Sequence, residues 1–124
     1  MSFENQLEQL GLILPNPAKP AGSYKPCLIV DNIAYISGQG PLLEDGSFAK
    51  GVIGKDIDIE TGQKHAQKCG LAILSALKNE IGDLNKVDQL IKITGFVNCT
   101  SDFTQQPLVI LSLIHISEPT RLVS

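Results

Sequence analysis

The sequence is poor in the features that mark several protein classes. Its 124 residues include no tryptophan, and only 5% of them are aromatic. No apolar run approaches the roughly 20 residues that a membrane-spanning helix needs, so we predict that the chain does not span a membrane. The first residues hold no basic stretch followed by an apolar one, which predicts the absence of a secretory signal.

Basic residues are few and dispersed. The chain has 10 lysines and arginines against 13 aspartates and glutamates, a formal net charge of −3, and no two of its basic residues are adjacent. Proteins that bind nucleic acids concentrate lysine and arginine in patches. The sequence therefore argues against a nucleic-acid partner.

Cysteine is also scarce. The three cysteines, Cys27, Cys69 and Cys99, are widely spaced and form no CxxC pair. An odd number at such spacings does not fit a disulfide framework. Together with the missing secretory signal, this predicts free thiols in a cytoplasmic protein.

Two weak site signals have simpler explanations. His65 and Cys69 lie four residues apart on a predicted helix, but a zinc site needs three or four ligands and no further ligand is suitably placed, so we predict no metal site. Gly38-Gln39-Gly40 follows a predicted strand, as the glycines of a dinucleotide-binding loop do, yet Pro41 follows and no helix opens there. We expect instead a tight strand exit whose backbone amides can face a small anion.

What is present indicates one globular domain. The chain is 43% apolar and 19% charged, which is typical of a folded domain of this length. Amphipathic spacing predicts a short helix over Ser2–Leu10, with Ser2 as its cap and with Phe3, Leu7 and Leu10 on one stripe. The β-rich runs Cys27–Val30 and Ile33–Ser37 flank Asp31-Asn32, whose residues tolerate positive φ, so this region predicts a β-hairpin.

The second half of the chain predicts helices and a further strand. Helical spacing runs from Asp58, a plausible cap, to about Ile81, with a stop at Gly82. Alternation predicts a strand over Gln89–Asn98, and a short, weak strand is possible at Phe48–Ile53. Ser101-Asp102 resembles the cap of a second long helix. This order of elements predicts an α+β domain with helices packed on one face of a β-sheet.

A series of short motifs occurs in unbroken order along the chain. The motifs are Leu14-Pro15 with Pro17 and Pro20, Gly22-Ser23-Tyr24-Lys25-Pro26, Tyr35-Ile36-Ser37-Gly38-Gln39-Gly40-Pro41, Asp45-Gly46, Gly82-Asp83-Leu84, and Gly95-Phe96-Val97-Asn98 through to Asp102-Phe103. Through these motifs the chain resembles the RidA/YjgF family, most closely its longer branch with a Leu-Pro-x-Pro arm. The resemblance covers roughly residues 12–109.

The resemblance implies a chorismate-mutase-like α+β fold and a homotrimer with small-molecule sites in the clefts between subunits. Well-known members of the family hydrolyse reactive enamines and imines to 2-oxo acids and ammonia, without a metal or an organic cofactor. Carried over to this chain, Tyr24 would border the cleft. Ser37 and Gly38 would offer polar and backbone groups to the ligand, and Gln39 would help to shape the turn.

Two further family residues, an arginine that clamps the substrate carboxylate and a glutamate that positions the hydrolytic water, have no counterpart in this sequence. The guanidinium group of an arginine can form two parallel hydrogen bonds to a carboxylate, and imine hydrolysis needs a correctly positioned water molecule. We therefore assign no catalytic residue, and two hypotheses stay open. The chain is a catalytically incomplete part of an imine or enamine hydrolase, or it belongs to a non-catalytic trimeric module that binds small carboxylates or a partner protein.

The end of the chain has a different resemblance. Residues 111–121, Leu-Ser-Leu-Ile-His-Ile-Ser-Glu-Pro-Thr-Arg, resemble the translated end of an adapter used in transposase-made sequencing libraries. We therefore expect an incomplete RidA-like domain at residues 1–110, with its C-terminal strands missing, and a non-native tail at residues 111–124. Arg121 would then not be the family's arginine. An open sheet edge predicts poor folding or irregular oligomers.

An alternative is that the tail is genuine. Leu108–Ile116 is almost wholly apolar and rich in β-branched residues. Taken alone, such a run predicts a buried strand that would complete the sheet.

Overall fold

The structure, a computed structural model, describes residues 3–16 and 25–117. It confirms the α+β class. The described elements are the helix α1 (Phe3–Gln9), the strands β1 (Cys27–Val30) and β2 (Ile33–Ile36), the long helix α2 (Ile59–Ile81), a single 3-10 turn (Leu84–Lys86), and the helix α3 (Gln106–Ser117). No helix in the described ranges combines the length and the apolarity that crossing a bilayer requires.

The predicted hairpin is confirmed. β1 and β2 pair antiparallel, with Cys27 opposite Ile36 and Val30 opposite Ile33. The two turn residues, Asp31 and Asn32, have φ angles of 49° and 65°. A two-residue turn that matches the twist of the strands needs positive φ at both positions, and Asp and Asn adopt this geometry more readily than most residues.

The N-terminal segment packs on the rest of the domain. The predicted first helix is confirmed as α1, although its predicted cap, Ser2, lies outside the described residues. Leu7 of α1 is buried, whereas Leu10, which we expected on the same stripe, is exposed. Beyond α1, the hydroxyl of Ser75 on α2 donates a hydrogen bond to the carbonyl oxygen of Pro15 at 2.6 Å. This bond holds the segment around Pro15 against α2.

The long helix α2 begins and ends where the sequence predicts. The Asp58 carboxylate accepts a hydrogen bond from the Thr61 amide at 2.8 Å, which satisfies one of the unpaired amides at the helix start. At the other end, Gly82 has a φ of 85° and its N–H donates to the carbonyl oxygen of Lys78 at 2.7 Å. Glycine takes up this positive φ without steric cost.

The Asp58 cap predicts a pH-dependent contribution to stability. Hydrogen bonding from Thr61, through its side chain and its amide, lowers the pKa of the exposed Asp58 carboxyl. A lowered pKa in the folded state means that the stabilisation is present above the ordinary carboxyl pKa and is lost as the pH falls through the lowered value. We expect Asp58→Ala to lower the urea midpoint at pH 7, and the difference from the parent chain to shrink as the carboxyl becomes protonated.

Asp58→Asn is the matched control for this measurement. Asparagine also caps helices but does not titrate, so its midpoint relative to Asp58→Ala should change little with pH. If the urea midpoint of the parent chain exceeds that of Asp58→Ala by the same amount at neutral and at strongly acidic pH, the ionised form of Asp58 is not what stabilises the helix start.

The core lies around α2 and forms two clusters. In the first, Leu84 of the 3-10 turn is fully buried between α1, β1 and α2, with an exposed fraction of 0%. In the second, α3 packs against α2 through Val109, which clusters with Ile53 and Ala66. A Cβ atom at Gly62 would collide with the Ile53 side chain, so glycine allows this close approach. The buried members of the first cluster are Leu7, Cys27, Leu71, Leu74, Leu77 and Leu84.

The predicted strand over Gln89–Asn98 is wrong. In the structure these residues form no strand, and Phe96 is 95% exposed. The alternating pattern is present, but a strand also requires a neighbour for its backbone groups, and the sheet of the described residues contains β1 and β2 only. The weak strand at Phe48–Ile53 is likewise wrong: single bridges involve Phe48 and Ile53 but no continuous ladder forms.

The second long helix is confirmed, but its predicted start is not. α3 begins at Gln106 rather than directly after Ser101-Asp102, because Asp102 lies in a turn in which its carboxylate accepts from the Thr100 hydroxyl at 2.6 Å. A strand at Leu108–Ile116 is also wrong, since α3 runs from Gln106 to Ser117. A helix satisfies its own backbone groups, whereas a strand there would need a partner.

α3 crosses the predicted domain boundary at Ile110 without a break. The presence of this helix does not test whether residues 111–124 are native. The assignment of that segment to a non-native tail stays a prediction.

Candidate functional site

The end of β2 holds three of the four residues predicted to bind a ligand. The Ser37 amide donates to the carbonyl oxygen of Pro26 at 3.0 Å, which extends the hairpin by one residue. The Ser37 hydroxyl donates to the same oxygen at 3.3 Å. The Gln39 side-chain amide then turns back and donates to the Ser37 carbonyl oxygen at 3.3 Å. These bonds give the strand exit a defined shape.

The exit leaves backbone amides open. No acceptor in the described part of the chain bonds the N–H groups of Gly38, Gln39 or Gly40. A Cβ atom at Gly38 would meet nothing within 4 Å, so open space adjoins this peptide. At Gly40, by contrast, a Cβ atom would lie 2.9 Å from Cδ1 of Phe48, so a larger residue there would have to displace the Phe48 ring. Successive open amides can bind a small anion.

A large cavity adjoins this exit. It has a volume of about 1980 Å³, and its lining includes Ser37, Gly38 and Gln39 together with residues of α2 and of the segment 84–98. The Ala49 amide donates to the carbonyl oxygen of Pro41 at 2.9 Å, which holds the neighbouring residue, Lys50, near the exit.

The charges around the cavity are unbalanced. Lys50, Lys86 and Lys92 line it, whereas Asp88 is the only acidic lining residue in the part of the chain that the structure describes. An excess of positive charge around a concave surface raises the local concentration of anions. The cavity therefore suits a small anionic ligand better than a cationic one.

The thiols nearby are not activated. Burial raises the pKa of the Cys69 thiol, which lines the cavity. Burial, and secondarily the charge of Glu80, also raise the pKa of the Cys27 thiol. A raised pKa keeps a thiol protonated at neutral pH, and the thiolate is the reactive form. The structure therefore argues against a cysteine nucleophile at these two positions.

The predicted residues can be placed as follows. Tyr24 lies outside the described residues. Ser37, Gly38 and Gln39 lie together at the edge of the cavity, and His65 and Cys69 both line it. Within the described ranges, no three His, Cys, Asp or Glu side chains come together as a metal site would require.

The three lysines that line the cavity were not predicted from the sequence. Lys50 comes from one part of the chain and Lys86 and Lys92 from another, the segment 84–98, and none of the three belongs to a motif. Only the packing of those parts around α2 brings them to one cavity, so no local signal could have identified them. No described arginine or glutamate lines this cavity. The sole arginine of the sequence, Arg121, lies outside the described residues.

A second, smaller hollow of about 300 Å³ lies beside the start of α3. Gly54, Thr100 and Asp102 are among its lining residues. The Thr100 hydroxyl donates to Asp102 and is not turned toward a ligand. This hollow brings together none of the predicted site residues.

Comparisons with known proteins agree with the architecture. The family described as "YjgF/chorismate mutase-like, putative endoribonuclease" matches residues 4–113. Protein TCP17 of Trypanosoma cruzi is 33% identical over 103 residues, which are 83% of this chain. The chain spans 64% of the length of that curated relative.

Two solved structures are similar over most of the chain. The crystal structure of the protein Atu1372, of unknown function, from Agrobacterium tumefaciens has a TM-score of 0.82 at 36% identity, covering 94% of this chain and 72% of its own. That of "a putative endoribonuclease" from Shewanella oneidensis MR-1 has a TM-score of 0.89 at 26% identity, covering 95% and 78%. The expected fold is therefore confirmed, and the chain belongs to the YjgF/chorismate mutase-like family.

Proposed function

We propose that this chain carries the anion-binding edge of a hydrolase that acts on reactive enamines and imines derived from amino acids. The observation that carries the proposal is the strand exit at Ser37–Gly40. It combines the open backbone amides of Gly38 and Gln39 with Lys50 at the edge of one cavity. We also propose a cytoplasmic location, because the three thiols are free, as is typical of a reducing compartment.

The reaction explains why these groups are useful. An enamine first tautomerises to its imine, and water then adds to the imine carbon. The C–N bond breaks, the carbon keeps the water oxygen as a carbonyl, and the nitrogen leaves as ammonia. A substrate of this kind carries a carboxylate that must be held while water attacks. Open amides and a lysine can hold that carboxylate through charge-assisted hydrogen bonds.

The described part of the chain does not hold a complete catalytic set for this proposal. Among the described residues, Asp88 is the one carboxylate side chain that lines the cavity, and no arginine does. General-base catalysis needs a basic group within hydrogen-bond reach of the attacking water. We therefore expect ligand binding with little turnover from this chain alone. The same observation favours the second candidate function, a non-catalytic module that binds small carboxylates.

We further propose that the domain self-associates, as a trimer, through the outer face of the hairpin. Residues opposite each other in the ladder share a face, so Leu28, Val30, Ile33 and Tyr35 all project from one side. All four are exposed. An apolar face of this kind usually marks an interaction surface.

The proposal is tested by binding and turnover together. We expect 2-oxobutanoate, the product-like probe, to bind the chain in an NMR titration with shifts centred on Gly38 and Gln39. Lys50→Ala should weaken binding about fivefold, corresponding to loss of one partly screened ionic contact. Lys55→Ala is the matched control, because Lys55 is exposed and does not line the cavity.

Ammonia release from freshly generated 2-aminoacrylate separates the two candidate functions. We expect acceleration by the longer Agrobacterium relative and little by this chain. Binding of the oxo acid without turnover by either protein would favour the non-catalytic module. The proposed site would be contradicted if 2-oxobutanoate did not bind, or if Lys50→Ala and Lys55→Ala weakened its binding equally. Cleavage of a single-stranded RNA would support the description of the Shewanella relative instead.

A further inference from the structure

The lining of the large cavity is mainly apolar. More than half of its residues have apolar side chains, and these come from β2, from α2 and from the segment 84–98. We call the apolar wall the surface defined by five of them: Ile36, Ile73, Leu77, Ile91 and Ile93. Ile91 is 72% exposed, so part of this wall is in contact with water and would gain free energy from an apolar ligand.

The positive charges of the cavity have no anionic partner. Lys50 and Lys92 line it and are exposed, and no described residue forms an ion pair with either of them. Lys86 differs, because its ammonium group donates to the carbonyl oxygen of Ile81 at 3.0 Å. Asp88 is the one carboxylate in the described lining, so Lys50 and Lys92 leave an excess of positive charge beside the apolar wall.

The size of the cavity fits a ligand larger than a small carboxylate. Sites for small molecules typically occupy about 300–1,000 Å³, whereas this cavity has a volume of about 1980 Å³. A ligand of the size of 2-oxobutanoate would leave most of it unfilled. A flexible alkyl chain can cover apolar residues that come from separate elements, and burial of each methylene group is favourable.

We propose that the cavity binds an amphiphilic anion, a long-chain fatty carboxylate. Its alkyl chain covers the apolar wall, and the exposed lysines Lys50 and Lys92 attract and hold its carboxylate through charge-assisted hydrogen bonds. The methylene groups of the lysine side chains can also lie along the alkyl chain. This goes beyond the proposed reaction, because a fatty carboxylate has no imine and its binding requires no turnover.

A series of chain lengths tests the contribution of the apolar wall. The experiment uses the full 124-residue chain and isothermal titration calorimetry with octanoate, decanoate and dodecanoate, each below its critical micelle concentration. We expect one ligand per chain. The affinity should rise about tenfold or more for each added pair of methylene groups, as burial of the alkyl chain requires.

A series of head groups tests the contribution of the charge. Dodecanol and dodecylammonium have the alkyl chain of dodecanoate with a neutral and a positive head group. We expect both to bind at least about fivefold more weakly than dodecanoate, since neither can form the ionic contact with a lysine. This comparison uses the parent chain, so it does not depend on whether a variant folds.

Two double variants locate the head group. Lys50→Ala with Lys92→Ala should weaken dodecanoate binding about tenfold, which corresponds to loss of two partly screened ionic contacts, and should leave dodecanol binding unchanged. The matched control is Lys55→Ala with Lys64→Ala. It removes the same charge from exposed lysines that do not line the cavity, so its dodecanoate affinity should equal that of the parent chain.

A pair of single variants locates the alkyl chain. Ile91→Asp should weaken dodecanoate binding at least about tenfold, because it places a negative charge on the apolar wall. Ile13→Asp should not change it, since Ile13 is also exposed but does not line the cavity. Both positions are exposed, so circular dichroism should show the fold retained in both variants.

Several outcomes would overturn the proposal. They are the absence of dodecanoate binding, an affinity that does not depend on chain length, dodecanol binding as tightly as dodecanoate, and equal losses in a variant and its control. Binding of many dodecanoate molecules per chain would also overturn it, since that is the behaviour of a detergent. Binding of dodecanoate but not of 2-oxobutanoate would support this proposal and contradict the proposed function.

Discussion

Leu84→Ala is expected to lower the free energy of unfolding by about 2–5 kcal/mol, the range for truncating a buried leucine. Leu84 is the largest side chain in the described core with no exposed surface. It connects α1, β1 and α2 in the first cluster, so the cavity left by alanine would loosen all three. Urea unfolding followed by far-UV circular dichroism measures the change.

Ile13→Ala is the matched control for Leu84→Ala. Ile13 is 85% exposed, so its truncation should change the free energy of unfolding by less than about 0.5 kcal/mol. Domains of this size have only about 5–15 kcal/mol of stability in total. Complete loss of the cooperative transition in Leu84→Ala would therefore still agree with the prediction. A change no larger than that of the control would show that Leu84 does not join the elements as the structure indicates.

The double substitution Leu28→Glu and Tyr35→Lys is expected to weaken self-association at least about 100-fold, because apolar and aromatic anchors at the centre of an interface carry most of its binding energy. Leu28 and Tyr35 are 50% and 57% exposed and lie directly opposite each other on the outer face of the hairpin. Opposite charges at paired positions support the ladder, so the hairpin itself should persist. Sedimentation velocity over a tenfold range of concentration measures the effect.

The control for this variant is Leu10→Glu with Ile13→Lys, which places the same charges on exposed apolar positions outside the sheet. It should associate like the parent chain. If both double variants weaken association equally, the chains associate through non-specific hydrophobic contacts rather than through the outer face of the hairpin. A parent chain that is monomeric at every concentration would contradict the proposed trimer.

The proposed ligand site was only partly predictable. Ser37, Gly38 and Gln39 were predicted from the resemblance to the RidA/YjgF family, which depends on a continuous motif, and a motif of neighbours is visible without knowledge of the fold. Lys50 and Lys92 could not be identified in this way. They are 42 residues apart in the chain and come to one cavity only because their segments pack around α2.

The amino-acid sequence by itself determined the elements whose stabilising groups are local. Asp31 and Asn32 specify the hairpin turn, and Asp58 and Gly82 specify the two ends of α2. In each case the groups that satisfy the backbone lie within a few residues along the chain, so reading the neighbours is enough.

Tertiary structure alone decided the elements that need distant partners. The alternating residues of Gln89–Asn98 have the side chains of a strand but no partner strand in the described part of the chain, so they form none. The β-branched run after Pro107 became α3, whose backbone satisfies itself and whose Val109 packs with Ile53 and Ala66. A strand forms only where another strand pairs with it, and the strand's own sequence does not identify that partner. A helix does not depend on such a partner.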